Sequence, residues 1–139
     1  MTRTRFALAL ALTLPLLPGA SPAAQPDTPL TGAEFEAYAT GKTLSFAQSG
    51  EIWGSEQYLA GRKVIWAFTE DDCQYGIWFE DQGNICFVYD NDPVPQCWRF
   101  FHQASGLRAE FVDDPSNTIL SEVRQTTEPL QCNGPEVCV

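Results

Sequence analysis

The chain has 139 residues, with eight Lys plus Arg against eighteen Asp plus Glu and a formal net charge of −10. Its few cations, Lys42, Arg62, Lys63, Arg99, Arg108 and Arg124 beyond the extreme N-terminus, form no basic stripe, which excludes nucleic acid as an expected partner. The same acidity disfavours anionic membrane surfaces and favours solubility, with steering toward a cationic partner as the alternative.

The N-terminus divides as an export signal does. Arg3 and Arg5 give a positive start, Phe6 to Leu17 form an apolar run, and Gly19 to Ala24 are small. The run is shorter than the roughly 20 apolar residues a membrane helix needs, and nothing later approaches that length, so no stable membrane insertion is expected. Residues 1–23 are read as a removable signal, because Ser21 and Ala23 satisfy the small-x-small rule, with cleavage after Ala24 as the alternative. No cysteine follows the apolar run directly, so there is no lipobox. The style of the signal is bacterial and points to the periplasm or the medium. Removal would leave six basic against eighteen acidic residues, a net charge of −12. About 116 residues would remain, a size that suits one domain.

Residues 24–30 read as a flexible leader containing Pro26 and Pro29, and residues 31–139 as a single β-rich domain. Thr31 and Glu34 form a capping box, while Leu30 and Phe35 occupy the staple positions of a helix start. The helix runs to Ala39 and stops at Gly41, a residue type suited to the left-handed terminal conformation. It is too short to stand alone in water, so Phe35 and Tyr38 are expected to pin it to a sheet.

From Thr43 the periodicity becomes that of strands. Thr43 to Ala47, Ser55 to Ala60, Val64 to Thr69, Gln74 to Glu80, Ile85 to Asp90, Gln96 to His102, Leu107 to Val112 and Thr118 to Val123 are rich in β-branched and aromatic residues. Turn chemistry separates them about every dozen residues. The expected fold is mainly β: an antiparallel up-and-down sheet of seven or eight strands that closes into a barrel or packs as a sandwich.

Register can be argued for the central hairpins. Setting Glu80 opposite Ile85 puts Trp78 against Phe87 and Gly76 against Tyr89, an aromatic ring covering a strand glycine. Setting Cys86 opposite Cys97 makes a close, same-face pair suited to a disulfide, and implies a four-residue connection from Asp90 to Pro93 with Val88 opposite Pro95. Trp78, Ile85, Phe87 and Trp98 then share one apolar face. The other face bears Ile77, Phe79, Val88 and the two cysteines. A sheet apolar on both sides is covered twice or wraps around something.

With Cys73-Gln-Tyr-Gly-Ile-Trp, Ile85-Cys-Phe-Val-Tyr, Gln96-Cys-Trp-Arg-Phe, Gly41-Lys-Thr and the terminal Pro129-Leu-Gln-Cys-Asn-Gly-Pro-Glu-Val in view, nearly the whole mature chain resembles a family of small exported alphaproteobacterial proteins. The resemblance implies export and one β-rich domain, and carries no activity. The family pattern has glycine where this chain has Cys138, which implies that Cys132 belongs to the core set. Cys73 would then pair with Cys132, leaving Cys138 as a free thiol. The rival pairing joins Cys132 to Cys138 and frees Cys73. The long loop would restrain the unfolded chain by about 4–5 kcal/mol against about 2–3 kcal/mol for the short one, which does not decide which forms.

No catalytic, cofactor-binding or metal-binding residues are assigned. The one histidine, His102, ends a strand, and no serine sits in a nucleophile elbow. Cysteine spacings of 13, 11, 35 and 6 contain no Cys-x-x-Cys. The acidic clusters Glu70-Asp71-Asp72, Asp90-Asn91-Asp92 and Asp113-Asp114 coincide with turns. Pro93 breaks the one that begins like a calcium loop. Four tryptophans and thirteen other aromatics either fill a small core or line a pocket, with Trp78, Phe87 and Trp98 as the candidate apolar ligand face. The leading expectation is an exported, non-enzymatic domain that binds a ligand or protein partner and needs no cofactor. The alternatives are a periplasmic hydrolase using acids near Asp90 and Asp92, and an acidic inhibitor or assembly factor.

Overall fold

The computed structural model describes residues 28–68, 70 and 72–133. The export signal, most of the leader and Cys138 lie outside the described residues.

Alternation of apolar and polar residues along successive hairpins gives eight strands: β1 (Thr43–Gln48), β2 (Glu51–Tyr58), β3 (Lys63–Ala67), β4 (Cys73–Asp81), β5 (Asn84–Tyr89), β6 (Asp92–Gln103), β7 (Gly106–Phe111) and β8 (Ile119–Thr126). Each pairs antiparallel with its neighbour in sequence, and β8 returns to β1, closing a barrel rather than a sandwich. Among the described residues, closure leaves no unpaired edge strand. It also gives the sheet an inside, where Leu44, Phe46, Val64, Trp66, Ile85, Phe87, Phe100, Leu107 and Leu120 are buried. The two-sided apolar character of β4 and β5 is explained by wrapping and not by double covering, since Tyr75 and Ile77 on the outer face are 50% and 52% exposed.

The helix α1 (Gly32–Ala39) starts with the expected capping box: Thr31 N–H donates to the Glu34 carboxylate at 2.8 Å, and Glu34 N–H to Thr31 Oγ1 at 3.3 Å. Its role is more than lying on a sheet. Phe35 has no exposed surface, and its ring meets Trp78, Phe100 and Tyr58 at centroid distances of 5.2, 4.5 and 5.5 Å. These rings come from three different strands, so Phe35 plugs one end of the barrel. The plug is tied by Leu30 N–H to the Phe100 carbonyl (2.7 Å), by Gly32 N–H to the Glu80 carboxylate, by Tyr38 Oη to Glu122 (2.8 Å) and by Arg62 to Glu36 (2.9 Å). Gly41, at φ +84°, turns the chain into β1 while its N–H donates to the Tyr58 carbonyl.

The central register follows the sequence argument: Gly76 faces Tyr89, Trp78 faces Phe87, Glu80 faces Ile85, Ile85 faces Trp98, and Cys86 faces Cys97. Cys86 and Cys97 are disulfide-bonded with Cα atoms 3.9 Å apart. The connection beyond them differs from expectation. Tyr89 pairs with Asp92 across a two-residue turn, Asp90-Asn91, and the register shifts between Phe87 and Tyr89. Pro93 and Pro95 cannot donate to a ladder, so the chain places them in the irregular stretch, where Val94 N–H donates to Asp92 Oδ1 at 3.1 Å. Strand β2 likewise begins at Glu51, ahead of the expected Ser55. Backbone pairing with β1 continues there past an irregularity at Phe46/Ala47, although Ile52 and Trp53 are exposed and carry no alternation.

After β8 the chain runs as a strap along the outside of the barrel. Thr43 Oγ1 donates to the Glu128 carbonyl (2.8 Å), Leu130 N–H donates to Gln57 Oε1 (3.1 Å), and Cys132 is disulfide-bonded to Cys73. The rival Cys132–Cys138 pairing is thereby replaced by the long-range link.

Candidate ligand-binding cavity

The barrel is not filled along its whole length. Opposite α1 lies a cavity of about 310 Å³ whose wall includes Phe46, Trp66, Phe87, Tyr89, Trp98, Phe100 and Leu120. It reaches the surface beside Trp53 and Phe68, which are 40% and 48% exposed, with Gln74, Gln96, Asp114 and Thr118 also on its lining.

Small residues shape this space. A Cβ on Gly54 would lie 2.4 Å from the Trp66 ring, so glycine there lets the indole cross β2. A Cβ on Gly76 would meet Tyr89 Cδ1 at 2.9 Å and the Val88 carbonyl at 2.2 Å. Glycine at that position lets the tyrosine ring lie over β4 and reach toward β2. Ala109 on β7 puts a short side chain on the lining itself.

What Tyr89 reaches is Glu56. Glu56 is 4% exposed on a wall that is mainly aromatic but also carries Gln74, Gln96, Asp114 and Thr118. Its Oε1 accepts from Tyr89 Oη at 2.7 Å and its Oε2 from Tyr58 Oη at 3.0 Å. Burial pushes its pKa up to about 7, against the opposing pull of the Tyr89 and Tyr58 hydrogen bonds. The same burial, with the acid beside them, raises both phenols above their ordinary values. Among the described residues no Lys or Arg pairs with Glu56: the ion pairs join Arg62 to Glu36, and Arg99 and Arg108 to Glu110. A buried carboxyl held by two phenols and facing an aromatic space can accept a further hydrogen bond or neutralise a positive charge.

At the mouth, Asp114 has a different task. It accepts from Ser116 N–H (2.9 Å) and Thr118 N–H (2.8 Å), which fix the loop between β7 and β8, and its pKa is lowered by the Thr118 side chain first and by these two backbone donors next.

The candidate apolar face divides between two levels. Phe87 and Trp98 line the cavity, whereas Trp78 lies deeper, 2% exposed against Phe35, with the Arg62 guanidinium 4.6 Å over its ring. Cys73, Cys86, Cys97 and Cys132 are bridged and stand off the cavity wall. Asp90 is exposed, Asp92 is engaged with Val94, and neither lines the cavity. His102 lies at the plugged end, its ring 5.6 Å from that of Tyr38. Among the described residues no cluster of three or more His, Cys, Asp or Glu could hold a metal ion, and no helix is long and apolar enough to cross a membrane.

Sequence reasoning passed over Glu56. The signal was the alternation Gly54, Glu56, Tyr58, which puts a carboxylate in the middle of an inward-facing row.

Compared with known proteins, the chain matches no family model, no curated protein and no solved structure. The cavity and its chemistry therefore carry the functional argument alone.

Proposed function

We propose that this protein is a binder of a small, largely apolar molecule, received inside the barrel through the end opposite α1. The observation that carries the reading is the aromatic cavity of about 310 Å³ around Glu56. An eight-stranded barrel has room either to be packed solid or to hold one small ligand. Here glycine at positions 54 and 76 lets the Trp66 and Tyr89 rings lie close against the strands, and alanine at 109 puts only a methyl group on the lining. Transfer of an apolar ring from water into such a wall is favourable, and the few polar groups in it, Glu56 foremost, orient what enters. The disulfides Cys73–Cys132 and Cys86–Cys97 suit an oxidising compartment. Together with the apolar N-terminal run they support export, to the periplasm or the medium, and a binding role there.

Fluorescence titration with the uncharged reporter N-phenyl-1-naphthylamine tests the reading. Saturable enhancement is expected for the native chain. At least tenfold weaker binding is expected for Ala109→Trp, whose indole would occupy the cavity while circular dichroism stays unchanged. Absence of binding, or equal binding by the folded variant, would contradict the proposal.

A further inference from the structure

Resting on the proposed ligand-binding role, we infer that the ligand is an organic cation, an amine protonated at neutral pH and attached to an apolar or aromatic body, whose ammonium group meets Glu56.

Three observations converge on that chemistry. The first is the state of Glu56 itself. Each carboxyl oxygen already accepts one phenol hydroxyl, from Tyr89 at 2.7 Å and from Tyr58 at 3.0 Å. Each oxygen retains capacity for a further donor. The second is the wall. Trp66, Phe87, Tyr89 and Trp98 line the same cavity as the carboxyl group, and aromatic rings attract cations through their quadrupoles, most strongly where water is excluded. The third is charge selection. The lining contains two acids, Glu56 and Asp114, and no Lys, Arg or His. An anionic ligand would enter beside two carboxyl groups with no countercharge, in a chain of net charge −10. A cation is favoured both at the site and on approach.

Such a ligand would couple binding to the proton on Glu56. The groups facing that carboxyl are Tyr58 on its own strand and Tyr89 from β5, with Asp114 at the mouth between β7 and β8, while Tyr58 also senses Glu122 on β8. The two phenols are raised and Asp114 is lowered, so of the shifted groups Glu56, near 7, is the one that titrates around neutrality. The cation pairs with the ionised form, and the proton carried by the neutral form goes to solvent.

The experiment is displacement of bound N-phenyl-1-naphthylamine by three compounds of one shape: 2-phenylethylamine, 2-phenylethanol and 3-phenylpropanoate. The ammonium compound should compete at least tenfold better than the alcohol, and the carboxylate should compete worst. In Glu56→Gln the preference for the ammonium over the alcohol should fall to within about threefold, both being compared against the reporter affinity measured for that same variant. Should that variant not fold, the native chain still answers: apparent affinity for the ammonium should fall about tenfold from pH 8 to pH 6, while affinity for the alcohol stays flat. Reporter binding with equal competition by ammonium and alcohol would overturn the inference and leave the cavity reading standing. A chain that binds no reporter would overturn both.

Discussion

The ring of Tyr89 lies across Gly76, its partner on the neighbouring strand, so closely that a methyl group on Gly76 would come within 2.9 Å of Tyr89 Cδ1. The pairing is what carries the tyrosine hydroxyl to Glu56, 2.7 Å away. A backbone vacancy on β4 thus sets the position of a polar group bound to β2 and supplied by β5. Gly76→Ala would also press on the Val88 carbonyl at 2.2 Å, which cannot rotate aside as a side chain can. Chemical denaturation should show a loss of about 2–3 kcal/mol, in the range of overpacked cores. The reporter should bind more weakly in the alanine variant. A variant as stable as the native chain would mean that β4 and β5 are less closely apposed.

Glu56 makes stability depend on pH in an unusual direction for an acid. Its folded pKa of about 7 lies above the ordinary value of 4.5, so the folded state holds its proton more tightly than the unfolded chain does. The contribution is therefore full below about pH 4.5 and is lost as pH rises through 7. A shift of this size corresponds to about 3 kcal/mol. Glu56→Gln removes the group. Urea unfolding at pH 5 and pH 8 should thus show the native chain losing more stability than the variant on going to the higher pH. Parallel behaviour of the two chains would contradict the buried, proton-holding carboxyl.

The two disulfides restrain loops of different length, with sequence separations of 59 and 11. The chain-entropy relation gives about 4 kcal/mol for the longer and about 3 kcal/mol for the shorter. Paired replacement of Cys73 and Cys132 by serine should therefore destabilise the fold more than paired replacement of Cys86 and Cys97. It should also release the strap, exposing the backbone around Leu130 to hydrogen exchange. Non-reducing peptide mapping of the native chain should recover the linked Cys73–Cys132 and Cys86–Cys97 peptides and one alkylated thiol, on Cys138. A Cys132–Cys138 fragment would refute the strap.

Local chemistry made the hairpins legible. Thr31 and Glu34 marked the helix start because a cap is a contact three residues long. Cys86 and Cys97, with Gly76 and Tyr89, set the register because a strand has a period of two and a shift by one residue would expose the whole face. Closure of β8 onto β1 joins strands far apart in sequence, and no local pattern distinguishes that barrel from a sandwich. The prolines misled in a specific way. Opposing Pro95 to Val88 satisfied the ladder on paper, yet the chain took Pro93 and Pro95 out of regular pairing and tightened the turn to Asp90-Asn91. Trp78 and Phe87 shared a face as expected, but only the end-plugging by Phe35 decides which of them borders open space. Glu56 escaped notice because one acid among polar neighbours looks like solvent-facing chain until the barrel closes around it.

A crystal structure of the protein with 2-phenylethylamine tests the account most directly. The account predicts the phenyl ring inside the barrel, between Trp66 and Trp98, with the ammonium nitrogen within about 3 Å of a Glu56 oxygen. A barrel packed solid where the cavity stands, or the amine bound on the outer face with Glu56 touching only Tyr58 and Tyr89, would contradict it.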